Sequence, residues 1–498
     1  FYSMKKQIFA LLLAALLLTA CGSGVTAETR ENTGVISAEA EVSPEEESET
    51  APEPTATEII SERYADTDLG GLTFTYVGLS ASGNHVYSGR FNELTADELT
   101  GEVVNDSLFN RKIALEGLLN LSLNCQLEGG PSVVSRVVHK SATAGDNAYD
   151  LSLNAVSVLG SDTLKGDYLN TQNITTLHLS DRWWDADEIA TFTFDDRLYW
   201  LCGDVNIGDD YATQVLFFNK DLLKAYNFDL PYERVKNGTW TIDVLREQAL
   251  AVKVDLNGDG VYDMTDQWGV LEVNDHIKHW LYPLGQRMVT SDGAHLVLHV
   301  QDEALFRVVE YLFQFFCVDQ VGSPEAPNLD CSPFTEGRCL YYSAQLFFLE
   351  LLRDMEDEFG IVPLPKYTEA QPSYGAYISH GGATGVGIPV TAADPETSGI
   401  VLDALAALST DTLHSAFYDV LFSTKYVRDA ESVEMLDLTF AAKSWDWAVD
   451  FAWSPMGAIY QSMIERGSFT YASDIEAKMP KIESKFSQLE SDLRALPQ

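Results

Sequence analysis

The segment Asp255-Leu-Asn-Gly-Asp-Gly-Val-Tyr-Asp-Met-Thr-Asp266 places oxygen-bearing side chains at positions 1, 3, 5, 9 and 12 of a twelve-residue loop: Asp255, Asn257, Asp259, Asp263 and Asp266. Gly260 stands at position 6, where a calcium loop turns sharply, and Val261 at position 7 would contribute its carbonyl. Hard oxygens at this spacing suit calcium. Asp266 is shorter than the glutamate usual at position 12, so two-oxygen coordination there is less secure. A helical pattern from about Ile242 to Val252 enters the loop, but Gln267-Trp-Gly-Val-Leu-Glu-Val273 leaves it as a strand. A calcium sensor moves two helices against each other, and here the exit helix is missing. A dockerin needs a second copy, and none is present. The expectation is a structural calcium site that stiffens a helix-to-strand turn; the alternative is a metal-free turn closed by Asx side chains.

A second set of residues could bind rather than react. Trp183-Trp184 is flanked by Asp181, Asp185 and Asp187; Asp209-Asp210 precedes Tyr211; Trp445-Asp446-Trp447 alternates like a strand, so both indoles would share a face; Tyr377 stands alone. Indole and phenol faces cover the C–H side of a pyranose, and carboxylates accept from its hydroxyls. Trp183, Trp184, Asp209, Asp210, Tyr377, Trp445 and Trp447 are therefore the candidate ligand residues, against the alternative that the rings pack a core and the acids are solvated. Tyr341, Tyr342, Phe347, Phe348, Trp268 and Trp280 read as packing. Asp185 and Asp187 could serve a hydrolase as acid and base. The chain has neither a GxSxG elbow nor an HExxH pair, His276 and His279 read as packed or solvated, and carboxylates are too abundant for one pair to signify, so no enzyme is expected.

The formal net charge of −43 excludes nucleic acid and anionic lipid surfaces as partners. Met4-Lys-Lys6, the apolar run Ile8 to Leu18 and Leu18-Thr-Ala-Cys21 form a secretory signal too short to span a bilayer. From residue 22 to about 60 there are ten Glu and one Arg among Pro, Ser, Thr and Ala, which makes a disordered acidic tether. The body beyond it is too long for one core and should form two lobes. Cys125, Cys202, Cys317, Cys331 and Cys339 form no metal motif. Free thiols are the default, with one bridge among the last three as the alternative.

Leu72-Thr-Phe-Thr-Tyr-Val77, Tyr149 to Asn154 and Gln214-Val-Leu-Phe-Phe-Asn219 read as strands, and about Asp97 to Leu121 as a helix, giving α/β layers with parallel sheets.

Taken in order, Leu18 to Cys21, Phe218-Asn-Lys-Asp-Leu-Leu223, Asn237-Gly-Thr-Trp-Thr241, the Asp255–Asp266 loop and Phe359-Gly-Ile-Val-Pro-Leu-Pro-Lys366 with Gln371 and Tyr374 resemble the extracellular solute-binding proteins of ABC importers. The sugar-binding class of maltodextrin-binding type is the most similar. The resemblance implies an α/β, two-lobed periplasmic-binding-protein type II clamp with three crossing hinge strands, near 212–218, 377–386 and 438–446. Residues 66–213 with 384–438 would form lobe one, and 214–380 with 442–498 lobe two. Gly381, Gly382, Gly385 and Gly387 would let the second crossing bend. It also implies lipidation of Cys21, a location on the extracellular face of the cell membrane, carbohydrate and permease subunits as partners, and a monomer. A peptide or other small solute is the alternative ligand. A surface scaffold component is the alternative of another class.

Overall fold

The computed structural model describes residues 53–80, 94–272, 276–322, 330–421, 429–451 and 456–497. The signal segment, Cys21 and almost all of the acidic stretch lie outside the described residues. The chain divides into units 1–53 and 54–498, of which the second carries the sheets and their helices.

That unit begins earlier than its composition suggests. Thr55 caps the helix Ala56–Arg63: its side chain accepts the Glu58 N–H at 3.1 Å, and the Glu58 carboxylate accepts the Thr55 N–H at 2.8 Å. Ala56 and Ile60 are fully buried. Arg63 Nη1 donates to Asp181 at 2.8 Å and to the buried Asp403 at 2.7 Å. Residues 55–60 therefore belong to the body and not to the tether, because this two-turn helix has an apolar face and a charged anchor.

Two four-stranded sheets organise the unit. In the first, β1 (Leu72–Leu79) lies parallel to β2 (Leu121–Glu128) and β3 (Leu151–Ala155), and β11 (Thr384–Gly387) runs antiparallel to β3. In the second, β4 (Gln214–Asn219) is antiparallel to both β8 (Cys339–Gln345) and β9 (Phe359–Val362), while β5 (Trp268–Glu272) is parallel to β8. A short antiparallel pair, β6 (Val289–Ser291) with β7 (Leu296–Leu298), stands outside both sheets. The large sheets are thus mixed and not purely parallel. Every residue of β4 and β8 is buried, as expected of strands covered on both faces. Tyr341, Tyr342, Phe347, Phe348, Trp268 and Trp280 are all core. The helix expected near residues 97–121 runs from Val103 to Leu119 and stops at Asn120, which takes a left-handed φ of 51°.

Three segments meet between the sheets. Thr213, at the entrance to β4, bridges Ile378, and β10 (Ala376–Tyr377) pairs in parallel with β12 (Lys443–Ser444). Gly385 and Gly387 are not bending points here. They lie in β11, where a Cβ on Gly387 would stand 2.6 Å from the Tyr168 ring and one on Gly385 3.0 Å from Leu159, so they admit close packing.

Candidate functional site

Beside this junction two short helices face one another. Asp185 caps the helix Ala186–Phe192, its Oδ1 accepting the N–H of Asp187 at 3.0 Å and of Glu188 at 2.9 Å. Its Oδ2 accepts the Trp445 indole N–H at 3.2 Å. On the other side β12 ends, and Asp446 caps the helix Trp447–Asp450 by accepting the Ala448 N–H. Trp447 donates its indole N–H to the Thr191 carbonyl at 2.8 Å. Phe192 is the common contact: its ring centroid lies 4.8 Å from Trp200, 5.2 Å from Trp447, 5.9 Å from Trp445 and 6.0 Å from Phe451. Phe194, Tyr199 and Arg197 extend the same aromatic-lined pocket. This small pocket lies within an aromatic seam between residues 185–200 and 443–451 and is closed on a third side by Leu493.

A ladder of rings borders it. Tyr377 in β10 stacks on Tyr282 at 5.6 Å and 9°, and on His279 at 4.7 Å and 29°. The Arg287 guanidinium lies 4.9 Å from the Tyr282 ring centroid, a cation–π distance.

Buried charge in the seam falls into two groups. Lys443 is clasped by Asp209 at 2.5 Å and Asp210 at 2.6 Å. Burial by itself would disfavour its charge, but the two carboxylates override this and hold the ammonium well above its usual range. The other group is acids alone. Burial raises Asp450 to about 8, with the Asp446 charge adding to it. Burial raises Asp446 to about 6, against the opposing amides of Met288 and Ala448. Glu188 is fully buried. Burial pushes it well above the carboxylate range, aided by Asp185; the Cys202 amide relieves it only partly.

No family model and no curated protein sequence matches the chain. Solved structures do match in fold. A family 1 extracellular solute-binding protein from Bifidobacterium longum subsp. infantis has a TM-score of 0.54 at 16% identity, over 84% of this chain and 100% of that one. An extracellular solute-binding protein from Staphylococcus aureus in complex with maltose gives 0.53 at 12% identity, over 85% and 96%. An ABC substrate-binding protein from Listeria monocytogenes in complex with cycloalternan gives 0.51 at 11% identity, over 85% and 98%. The chain has the fold of the extracellular solute-binding proteins. It is a two-lobed α/β clamp, and the three segments between its sheets are the crossing strands of that fold.

Within the clamp the candidate ligand residues separate. Tyr377, Trp445 and Trp447 come together at the junction. Trp447, however, opens a helix instead of continuing a strand, because the Asp446 side chain competes for the backbone N–H groups; the two indoles meet through Phe192. Asp209 and Asp210 do not present free carboxylates to a ligand, since Lys443 occupies them. Trp183 is 1% exposed, donates to Asp403 at 3.1 Å and lies 5.4 Å below the Arg63 guanidinium. It docks the first helix instead of offering a face to solute. Trp184 is buried and bridges Gly203. Sequence reading missed Glu188, Phe192, Trp200, Tyr282, Arg287 and Asp450. A capped helix at Asp185 with Glu188 and Phe192 one turn apart was the one available signal.

The twelve-residue loop is closed by its own side chains. Asp255 accepts the N–H of Gly258 at 2.6 Å and of Gly260 at 2.8 Å; Asn257 accepts from Asp259, Asp259 from Val261, and buried Asp266 from both Leu256 and Asp263 at 2.9 Å. Gly260 has φ of +81°, which its position-6 turn requires. This hard-oxygen donor set fits calcium, and the oxygens of Asp255, Asp259 and Asp266 that accept one amide each retain a second lone pair. Among the described residues, the one group of three ligand types converging within 4.8 Å is His178, Asp181 and Asp403. Arg63 already stands as the cation there. Cys125, Cys202, Cys317, Cys331 and Cys339 are free thiols, and no described helix is long and apolar enough to cross a membrane.

Proposed function

We propose that this protein is an extracellular receptor that captures a sugar or oligosaccharide by closing its lobes and delivers it to an ABC permease. The observation that carries the reading is the aromatic cluster beside the junction of the sheets, where Phe192 and Trp200 from one side meet Trp445 and Trp447 from the other. Lobe one is taken as residues 66–213 with 384–438 and lobe two as 214–380 with 442–498. Closure is driven only by the extra contacts the solute makes when both sides reach it. The complexes with maltose and cycloalternan in proteins of this fold support a carbohydrate.

A binding role, not hydrolysis, is supported by Asp185. Its two oxygens are committed to the helix cap and to Trp445, so it is poorly placed to act as a free acid or base with Asp187. The loop Asp255–Asp266 is proposed to hold calcium through Asp255, Asn257, Asp259, the Val261 carbonyl, Asp263 and Asp266, bracing the turn before β5. A lipid on Cys21 is proposed to keep the monomeric receptor beside its permease.

The test is titration calorimetry of the full chain, with calcium, against mono- and oligosaccharides, amino acids and peptides, together with small-angle scattering. Saturable sugar binding without turnover, a smaller radius of gyration when bound, and loss of binding in Trp445→Ala support the reading. Binding of peptides alone discards the carbohydrate, and superimposable scattering curves discard closure.

A further inference from the structure

Solute contacts tilt a balance between open and closed lobes whose resting point the chain sets for itself, and one contact at the edge of the aromatic pocket bears on that resting point. Phe194 and Arg197 exchange backbone hydrogen bonds at 3.0 and 3.1 Å across Asp195 and Asp196. With φ of 53° and 58°, these two aspartates form a two-residue turn of the type I′ kind. The result is a short, stiff hairpin that carries Arg197 just past its turn. It belongs with the first sheet, since Leu201 and Val386 of β11 exchange backbone bonds at 2.8 and 2.9 Å.

The hairpin meets the end of the helix Tyr471–Ala495. The last carbonyls of a helix lack partners within it and form its negative pole. Arg197 supplies the missing donor: its Nη1 reaches the carbonyls of Leu493 at 3.1 Å and Arg494 at 3.3 Å, while the Tyr199 hydroxyl donates to the Pro497 carbonyl at 3.1 Å. Arg494 returns the contact, its guanidinium lying 4.9 Å from the Phe194 ring centroid and 3.8 Å from Asp195. The Asp195 N–H donates to the Gly293 carbonyl at 2.6 Å, between β6 and β7. Arg197 is 6% exposed, so its charge has exchanged water for these groups. The helix it caps sits with the second sheet. Tyr471 donates to the Val300 carbonyl at 2.8 Å and lies 6.0 Å from Phe306, whose helix, Glu303–Phe313, reaches Asp243 through Tyr311. Asp243 begins the helix Ile242–Val252, which packs so closely on β5 that a Cβ on Gly269 would stand 2.4 Å from Ala249.

We propose that this contact is a latch between the lobes. Arg197 and Tyr199, on the side of the first sheet, grip the C-terminal end of the last helix, on the side of the second, and hold the two together across the aromatic pocket before solute arrives. This rests on the receptor reading and its two lobes. Arg197, Tyr199 and Leu493 line one pocket with Phe192, Trp200 and Trp447, so lobes that part at that pocket must break the latch. A latch that persists in the bound state raises the fraction of solute-free chains already competent to bind, and the apparent Kd falls in proportion.

The experiment is small-angle scattering of the full chain, without solute and with saturating maltose, together with maltose calorimetry, on wild type, Arg197→Met and Tyr199→Phe. Expected are a larger solute-free radius of gyration in Arg197→Met, a smaller increase in Tyr199→Phe, and equal radii for all three with maltose. Maltose affinity should fall about tenfold or more in the first variant and about fivefold in the second. A direct contact of Arg197 with the sugar would also lower affinity, but it would leave the solute-free radius as it was. Solute-free radii equal to or smaller than that of wild type in both variants overturn the latch, and with sugar binding intact they leave the receptor reading standing. Larger radii in variants of a chain that binds no sugar keep the latch and count against the receptor reading alone. Tyr199→Phe, which loses one O–H and no packing, carries the decision if Arg197→Met does not fold.

Discussion

The Asp255–Asp266 loop and the aromatic seam are both acidic, yet they handle their carboxylates in opposite ways. In the loop each named side-chain oxygen accepts a backbone N–H from within the same dozen residues, and the carboxylates of Asp255, Asp259 and Asp263 stay near solvent. In the seam Glu188, Asp209, Asp210, Asp446 and Asp450 lie in the interior, and Asp209 and Asp210 meet a cation more than two hundred positions away. Water and local amides let the loop keep its charges at little cost. Burial forces the seam either to recruit a cation, as Asp209 and Asp210 recruit Lys443, or to keep its acids protonated, as with Asp450.

The contrast is broken most severely at Lys443. Replacing it by Ala leaves two buried carboxylates with only the His414 imidazole, 3.5 Å from Asp210, beside them, and about 3–5 kcal/mol of stability should be lost, read from denaturant midpoints. A loss below about 1 kcal/mol would show that water reaches Asp209 and Asp210.

Next in size is a pH effect. Asp450 and Asp446 titrate higher in the folded chain, near 8 and 6, than in the unfolded one near about 4. Between those values the folded state binds more protons, so stability is highest at the acid end and falls as pH rises from about 4 to about 8. Asp450→Asn should flatten the upper part of that slope, measured as melting temperature against pH. An unchanged slope would assign it elsewhere.

The loop should respond to metal instead. Calcium at a hundredfold excess over its Kd should raise stability by about 2.7 kcal/mol, and Asp255→Ala should abolish the rise while leaving sugar affinity as it was. A loop that gains nothing from calcium is an Asx-closed turn and no more. The smallest effect is expected at Val261, whose side chain is 61% exposed. Val261→Ser should change stability by less than about 0.5 kcal/mol and keep the calcium response, since the proposed ligand is its carbonyl.

Local chemistry was legible in the sequence to the degree that it was self-contained. The strand Gln214–Asn219, the helix Ile242–Val252 and the strand after Asp266 stand where periodicity puts them, because their apolar patterns need only a core to face. The capped helix Ala56–Arg63 was lost inside an acidic stretch, since its fixing partners, Asp181 and Asp403, are more than a hundred residues away. Trp183 and Trp445 have the same composition of neighbours, an indole among aspartates. One docks a helix on Arg63 and Asp403, and the other lines the seam.

By itself, then, the sequence determined the donor set of the loop and the strands β1, β3, β4 and β5, which follow from spacing and apolar pattern within one short stretch; the crossing segments were legible only through the family resemblance. Tertiary structure alone decided which aromatics meet at the junction, that Lys443 takes the Asp209–Asp210 pair, and that Glu188 is fully buried. The reason is physical. A side chain's charge and hydrogen bonds depend on which groups share its low-dielectric surroundings, and here those groups are brought together by chain segments more than two hundred residues apart.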